Sequence, residues 1–238
     1  MTWTVDILTL YPEMFPGHLN QSLSGKALKE GIWSLKVHNI RDHGIGNHNT
    51  VDGKPAGGGP GMVLRADVID KAIENSFQNK HKIIYLSPKG KQLTQDKIKE
   101  LSLSQGVSIL CGHFEGVDER IIEKYDMEEI SIGDYILSGG EVASMVLLDS
   151  IIRLLPNAIG NSDSTIIESF SNGLLEYPQF TKPNEFNKKE IPSILLSGDH
   201  RAIDEWRTKQ SLDITKKDGQ ILFLKKKIKY NKNRVTYG

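Results

Sequence analysis

The chain holds one cysteine, Cys111, among 238 residues. An intrachain disulfide is excluded, and so is a zinc site assembled from cysteine pairs. Long hydrophobic runs are missing too. The richest stretch, residues 142–155, carries Asp149 and Arg153 and falls short of a membrane span. Residues 1–10 lack a basic segment followed by an apolar run, so no secretory signal is expected and a cytoplasmic protein is. The common catalytic signatures are also missing. There is no Gly-x-Ser-x-Gly nucleophile turn and no His-Glu-x-x-His zinc motif. His38, His43 and His48 are five apart, which puts no two on one helical face, so no metal site is expected. Gly57-Gly58-Gly59-Pro60-Gly61 lacks the Gly-Lys-Ser/Thr ending of a phosphate loop, and Gly44-Ile45-Gly46 is not followed by the third glycine of a dinucleotide fingerprint.

Net charge is absent as well, but its zero hides an asymmetry. Residues 1–200 carry 19 Lys and Arg against 26 Asp and Glu, a net of −7. Residues 201–238 carry 11 against 4, a net of +7. A basic tail on an acidic body suits a nucleic-acid-binding appendage; a solvated lysine-rich helix reads the same way.

What is present is an alternation of strands and helices. Residues 4–10 alternate apolar and polar as a strand, residues 24–30 are helical, and 34–40 alternate again. A polar, glycine-rich loop fills 41–61, a length typical of functional loops. A helix follows over 66–76. Strands are predicted at 82–87, halted by Pro88 and Gly90, at 107–111, halted by Gly112, and at 129–132, halted by Gly133. Thr94 and Asp118 are placed to cap the helices between them. Ser138-Gly139-Gly140-Glu141 matches a capping box opening a helix to about 155, with Asp149 and Arg153 paired at i, i+4. A polar linker spans 157–172. Pro178, Pro183 and Pro192 then punctuate extended segments before helices at 199–210 and 218–229. This order predicts an α/β fold with a mainly parallel sheet. Ligands of such sheets bind at the carboxyl ends of the strands, where three glycine-bearing loops could converge. Each loop alone also reads as a tight strand-to-helix turn.

The residues of those loops carry a resemblance. Tyr85-Leu86-Ser87-Pro88-Lys89-Gly90, the run from Leu110 through Cys111-Gly112-His113-Phe114-Glu115-Gly116 to Arg120, and Ser131-Ile132-Gly133-Asp134-Tyr135-Ile136-Leu137-Ser138-Gly139-Gly140-Glu141 resemble the bacterial tRNA (guanine-N1)-methyltransferase family of the TrmD type. So do residues 51–62, residues 173–183, and Leu195-Leu196-Ser197-Gly198-Asp199-His200 with Trp206-Arg207. The resemblance runs from the first strand to Gln210.

It implies a SPOUT fold, a mainly parallel sheet closed by a deep trefoil knot, with a small C-terminal helical domain. Connection rules disfavour knots, so the knot is expected from the resemblance alone. The domains would be 1–156, which binds S-adenosylmethionine, the linker 157–172, and a tRNA-binding domain at 173–238. The implied cofactor contacts are Tyr85, Leu86, Ser87, Pro88, Gly112, Ile132, Gly133, Asp134, Tyr135, Ile136, Leu137, Gly139 and Gly140. Asp52, Gly58, Gly59, Ser169, Phe170, His200 and Arg207 would contact the RNA. The family's base is an aspartate in an Asp-Ser-Phe triplet, and here Glu168-Ser169-Phe170 stands in its place. Arg153 matches an arginine that steadies charge on guanine O6. Ala56 and Phe114 stand where tyrosine is common, and His113 where arginine is frequent. The implied activity is methylation of tRNA guanosine 37 at N1, by a homodimer whose active sites are shared, with no membrane or DNA partner. Mg²⁺ would assist, though no set of oxygen ligands is readable. A knotted methyltransferase acting on another RNA site, and a non-catalytic RNA-binding protein with a relict pocket, are the alternatives.

Overall fold

The computed structural model describes residues 2–79, 81–158 and 173–218. Contacts divide the chain into two compact units, Met1–Gly160 and Asn161–Gly238. In chain order the first unit comprises β1 (Trp3–Thr9), α1 (Ser22–Lys29), β2 (Trp33–Asn39), the two-residue strands β3 (Asp52–Gly53) and β4 (Val63–Leu64), α2 (Ala66–Ser76), β5 (Ile83–Gln92), α3 (Gln95–Ser102), β6 (Gly106–Leu110), α4 (Glu119–Lys124), β7 (Glu128–Ser131) and α5 (Gly140–Ile152). Five strands form one sheet in the order β2-β1-β6-β5-β7. Every pairing in it is parallel, as the strand–helix alternation predicts.

Helices cover both faces, which is what a parallel sheet requires. On one face Val5, Ile7, Ile84, Val107 and Ile109 pack against Ala27 of α1, Ile98 and Leu101 of α3, and Leu147, Leu148 and Ile151 of α5. On the other, Leu8, Tyr85 and Leu110 pack against Val68, Ile69 and Ala72 of α2 and Ile121 and Ile122 of α4. Two polar positions of β1, Asp6 and Thr9, expected to alternate outward, are therefore buried, and each finds a partner. Asp6 accepts from Asn79 Nδ2 at 3.0 Å and lies 3.4 Å from His38 Nε2, while Thr9 donates to Glu141 Oε1 at 2.6 Å. Unpaired, either group would cost stability.

The predicted caps behave unequally. Thr94 accepts from the Lys97 amide at 3.3 Å and Asp118 from the Arg120 amide at 3.1 Å. The expected capping box at 138–141 does not form. The N-cap of α5 is Gly139, which has no side chain to cap with, and the Glu141 carboxylate turns inward to Thr9.

A second correction concerns β5, which Pro88 and Gly90 were expected to halt. The strand runs on to Gln92 through a bulge: Leu86 and Lys91 both register with Ile130 of β7, and the four residues between them leave the ladder. Pro88 sits inside that bulge, where no ladder N–H is needed. Gly90 lies so close to the Glu129–Ile130 backbone that an added Cβ would collide with it.

The second unit begins its described part at Gly173. It holds a small antiparallel hairpin, β8 (Glu185–Phe186) with β9 (Lys189–Glu190), a 3₁₀ turn at Ser193–Leu196, and the helix α6 (His200–Asp218). The Asp199 carboxylate accepts from the Ala202 amide at 3.1 Å and starts α6. The helix runs eight residues beyond the predicted end at 210 and takes in the predicted start of the next helix at 218. Its buried Thr215 accepts the Leu175 amide at 2.8 Å, tying the segment after Gly173 to the helix. Residues 159–172, most of the predicted linker, and 219–238 lie outside the described residues.

Two predictions follow from this packing. Gly90→Ala should destabilise the chain by about 1–3 kcal/mol, as overpacking does, seen as a lower midpoint in a thermal melt; an unshifted melt would mean the bulge yields freely. The second concerns Tyr125, whose hydroxyl donates to Asp70 at 2.7 Å and ties α4 to α2. Partial burial and then the Asp70 carboxylate push its phenol up to about 12 from the usual 10.0. A raised folded-state value contributes stability that is complete below the unfolded value and is lost as pH climbs through the folded one. Melting curves of wild type and Tyr125→Phe should thus differ at neutral pH and converge between the usual tyrosine value and about 12.

Candidate functional site

Because β5, β6 and β7 are parallel neighbours, their carboxyl ends lie on one edge of the sheet, and the loops leaving them meet there. They enclose a cavity of about 360 Å³. The β5 bulge supplies Leu86, Ser87, Pro88 and Lys89, the segment after β6 supplies 112–117, and the segment after β7 supplies Ile132 and Gly133 and then 135–140. Twelve of the thirteen residues singled out as cofactor contacts line this space; Asp134 does not, and it is exposed. The walls are joined by main chain. The Gly140 amide donates to the Gly112 carbonyl at 2.9 Å, and His113 and Gly139 form an antiparallel bridge.

Tyr85 forms the floor. Its ring is buried, and a Cβ on Gly112 would stand 2.7 Å from the ring and 2.8 Å from its hydroxyl oxygen, so only glycine lets the second loop pass there. Burial holds the Tyr85 phenol above its ordinary value, reinforced by Glu129 and Glu119 nearby and opposed by the Val117 backbone. The group therefore stays protonated across physiological pH, as a potential donor. Burial likewise pushes the Cys111 thiol up, with Glu141 adding to it, which makes that thiol unreactive.

Several lining residues were missed in the sequence. Glu115, Glu119 and Glu129 bring three carboxylates to the wall, against one lysine, Lys89, which lies 3.7 Å from Glu119. Glu129 faces Tyr85 in the β5–β7 register, and its Oε1 is buried without a hydrogen-bond partner among the described residues. No local signal marked it: in the strand Glu128-Glu129-Ile130-Ser131 a glutamate reads as a solvated position.

The predicted RNA contacts are more scattered. Asp52 is half-buried in β3, paired with Leu64 of β4, and Leu64 donates to the Gly116 carbonyl at 2.9 Å. The end of the glycine-rich loop is thus fastened to the cavity rim, while Gly58 and Gly59 are exposed, with positive φ. Arg153 is the exposed C-cap of α5. In the second unit, His200 opens α6 exposed, and Arg207 lies 5.0 Å over the Tyr177 ring and 3.5 Å from Asp204. Glu168, Ser169 and Phe170 lie outside the described residues. Among the described residues no group of three or more His, Cys, Asp or Glu is arranged to hold a metal, so the Mg²⁺ expected from the resemblance finds no ligand set there. Among them, too, no helix is long and apolar enough to cross a membrane.

Comparison with known proteins places this geometry. A model of the family described as tRNA (Guanine-1)-methyltransferase TrmD matches residues 3–225. A tRNA (guanine-N(1)-)-methyltransferase of Pelagibacter ubique is 53% identical over 214 residues, covering 90% of this chain and 94% of that protein. One from Rhizobium etli is 50% identical over 234 residues, covering 98% and 100%. One from Brucella canis is 54% identical over 210 residues, covering 88% and 86%. With its whole framework spanned by these matches, the chain belongs to the tRNA (guanine-1)-methyltransferase TrmD family.

Proposed function

We propose that this protein transfers a methyl group from S-adenosylmethionine to N1 of guanosine 37 in tRNA, 3′ of the anticodon. The observation that carries the reading is the cavity at the ends of β5, β6 and β7, in a chain of this family. Its volume lies in the range that encloses a small-molecule ligand. Its main-chain edges suit an adenine, and its surplus of carboxylates suits a ligand bearing sulfonium and ammonium charges. The residues present therefore fit the cofactor.

When bound, S-adenosylmethionine supplies an electrophilic methyl group and leaves as S-adenosylhomocysteine. The chain must do the rest. N1 of guanine carries a proton and is a poor nucleophile until that proton leaves, so a base is needed. Glu168 is assigned that role: its carboxylate takes the N1 proton, and the electron pair left on N1 forms the new bond to carbon. Arg153 offsets the negative charge that gathers on O6. Ser169 and Phe170 flank the target base, which is turned out of its stack to reach the pocket. Asp52, Gly58 and Gly59 contact it from the glycine-rich loop. Phosphate contacts that position the RNA fall to the 173–238 domain through His200, Arg207 and the basic tail.

The same reading includes the deep trefoil knot of the loops after β5, β6 and β7, the mainly helical character of the C-terminal domain, and a linker at 157–172. It also includes a homodimer. Tyr135, Ile136, Val142 and Val146, running from the third loop onto α5, are exposed apolar side chains, and a second copy would cover them beside the cavity.

The test compares tRNA transcripts carrying guanine or another base at position 37, incubated with S-adenosylmethionine and examined by mass spectrometry. Methylation at N1 of guanosine 37 alone is expected. Modification elsewhere would favour a knotted methyltransferase with a different RNA site, and cofactor-independent RNA binding a non-catalytic protein. Glu168→Gln should abolish turnover while leaving S-adenosylmethionine binding intact by calorimetry. Near-normal methylation by that variant would remove Glu168 from the mechanism.

A further inference from the structure

Thr9, Tyr11, His113 and Glu141 form a closed chain of contacts behind the cavity wall. The Tyr11 amide donates to Thr9 Oγ1 at 3.0 Å, and Thr9 Oγ1 donates to Glu141 Oε1 at 2.6 Å. Glu141 Oε2 lies 3.2 Å from His113 Nε2, and the His113 ring returns to the Tyr11 ring at 4.9 Å between centroids. Thr9 is fully buried and Glu141 is 2% exposed. A carboxylate this deep needs partners, and here Thr9 donates a hydrogen bond to one oxygen while the His113 ring stands beside the other. Its place in the first turn of α5 also favours negative charge.

The chain of contacts joins parts of the molecule that are far apart in sequence: the end of β1, the loop after β6 and the start of α5. His113 itself lines the cavity, as do Gly139 and Gly140, and a Cβ on Gly139 would collide with both His113 and Glu141. We propose that His113 is a positioning residue for the cofactor. Clamped by Glu141 against Tyr11, it locks the 112–116 turn to the 139–141 segment and so sets the width of the cavity between them. The main-chain bond from Gly140 to Gly112 aligns the two segments at one point, and the side-chain pair stops them pivoting about it. This inference rests on the S-adenosylmethionine reading of the cavity.

Calorimetric binding of S-adenosylmethionine and steady-state methylation are to be measured on the full chain for wild type, His113→Ala, Glu141→Gln, the double variant and His113→Arg. Loss of the His113–Glu141 contact should weaken binding by roughly tenfold in His113→Ala. The loss should appear in KM for the cofactor, with kcat at saturation little changed. Because the two side chains act as one unit, the double variant should bind no more weakly than the weaker single one. His113→Arg, which restores a donor to Glu141, should recover most of the affinity. If His113→Ala does not fold, Glu141→Gln, which leaves no buried charge unpaired, carries the test by its own rise in KM. A His113→Ala protein that binds as wild type, additive losses in the double variant, or a fall in kcat alone would overturn the proposal. Failure of wild type to bind S-adenosylmethionine would overturn the methyltransferase reading, and this proposal with it; wild-type binding beside an unimpaired variant overturns this proposal only.

Discussion

The hydrogen bond from the Gly140 amide to the Gly112 carbonyl, 2.9 Å long, is the point at which the cavity closes. It exists because β6 and β7 are parallel and their ends emerge on the same edge. Antiparallel pairing would send alternate loops to opposite edges, and no cavity with three glycine-bearing walls could form. Parallel pairing has its own cost, since both faces must be covered. The α1–α3–α5 layer and the α2–α4 layer meet that requirement. The cavity is a consequence of that cover, lying where the layers end and the loops begin.

Close approach of main chain recurs at this edge. Gly90 lies against the β7 backbone, Gly112 against the Tyr85 ring, and Gly140 against Cys111. In each case a side chain would occupy space that another strand or ring already fills. Glycine here serves proximity more than conformational freedom, since none of the three has a positive φ. The bulge in β5 adds to this crowding. By returning Lys91 to the same Ile130 that Leu86 faces, it holds Ser87, Pro88 and Lys89 out of the sheet and over the cavity.

Much of this was legible in the sequence. The helix at 66–76, the caps at Thr94 and Asp118, and the three strands before their glycines are local features, set by periodicity and cap chemistry within a few residues. The errors around the cavity are long-range. Glu141 read as half of a capping box because Ser138 stands three residues before it. Thr9, 132 residues away in sequence, holds it instead. Pro88 read as a stop because a proline ends a regular ladder, and the sequence could not say that β7 would resume pairing with Lys91. The carboxylates of the cavity wall were overlooked because each of Glu115, Glu119 and Glu129 alone resembles a solvated side chain. Only the fold gathers them.

That gathering bears on which charges the cavity can attract. A cavity walled by three carboxylates and one lysine attracts a cationic sulfonium and would repel an RNA phosphate approaching over the same wall. The sequence separates the two demands along its length: the net charge is −7 through residue 200 and +7 beyond it. If phosphates are held by the basic end, the acidic pocket need meet only a base, which carries no formal charge. At physiological salt the Debye length is about 8 Å, so a basic surface farther away than that neither strengthens nor weakens cofactor binding appreciably. Zero net charge is then the sum of two opposed stretches of sequence, −7 and +7, each suited to a ligand of the other sign.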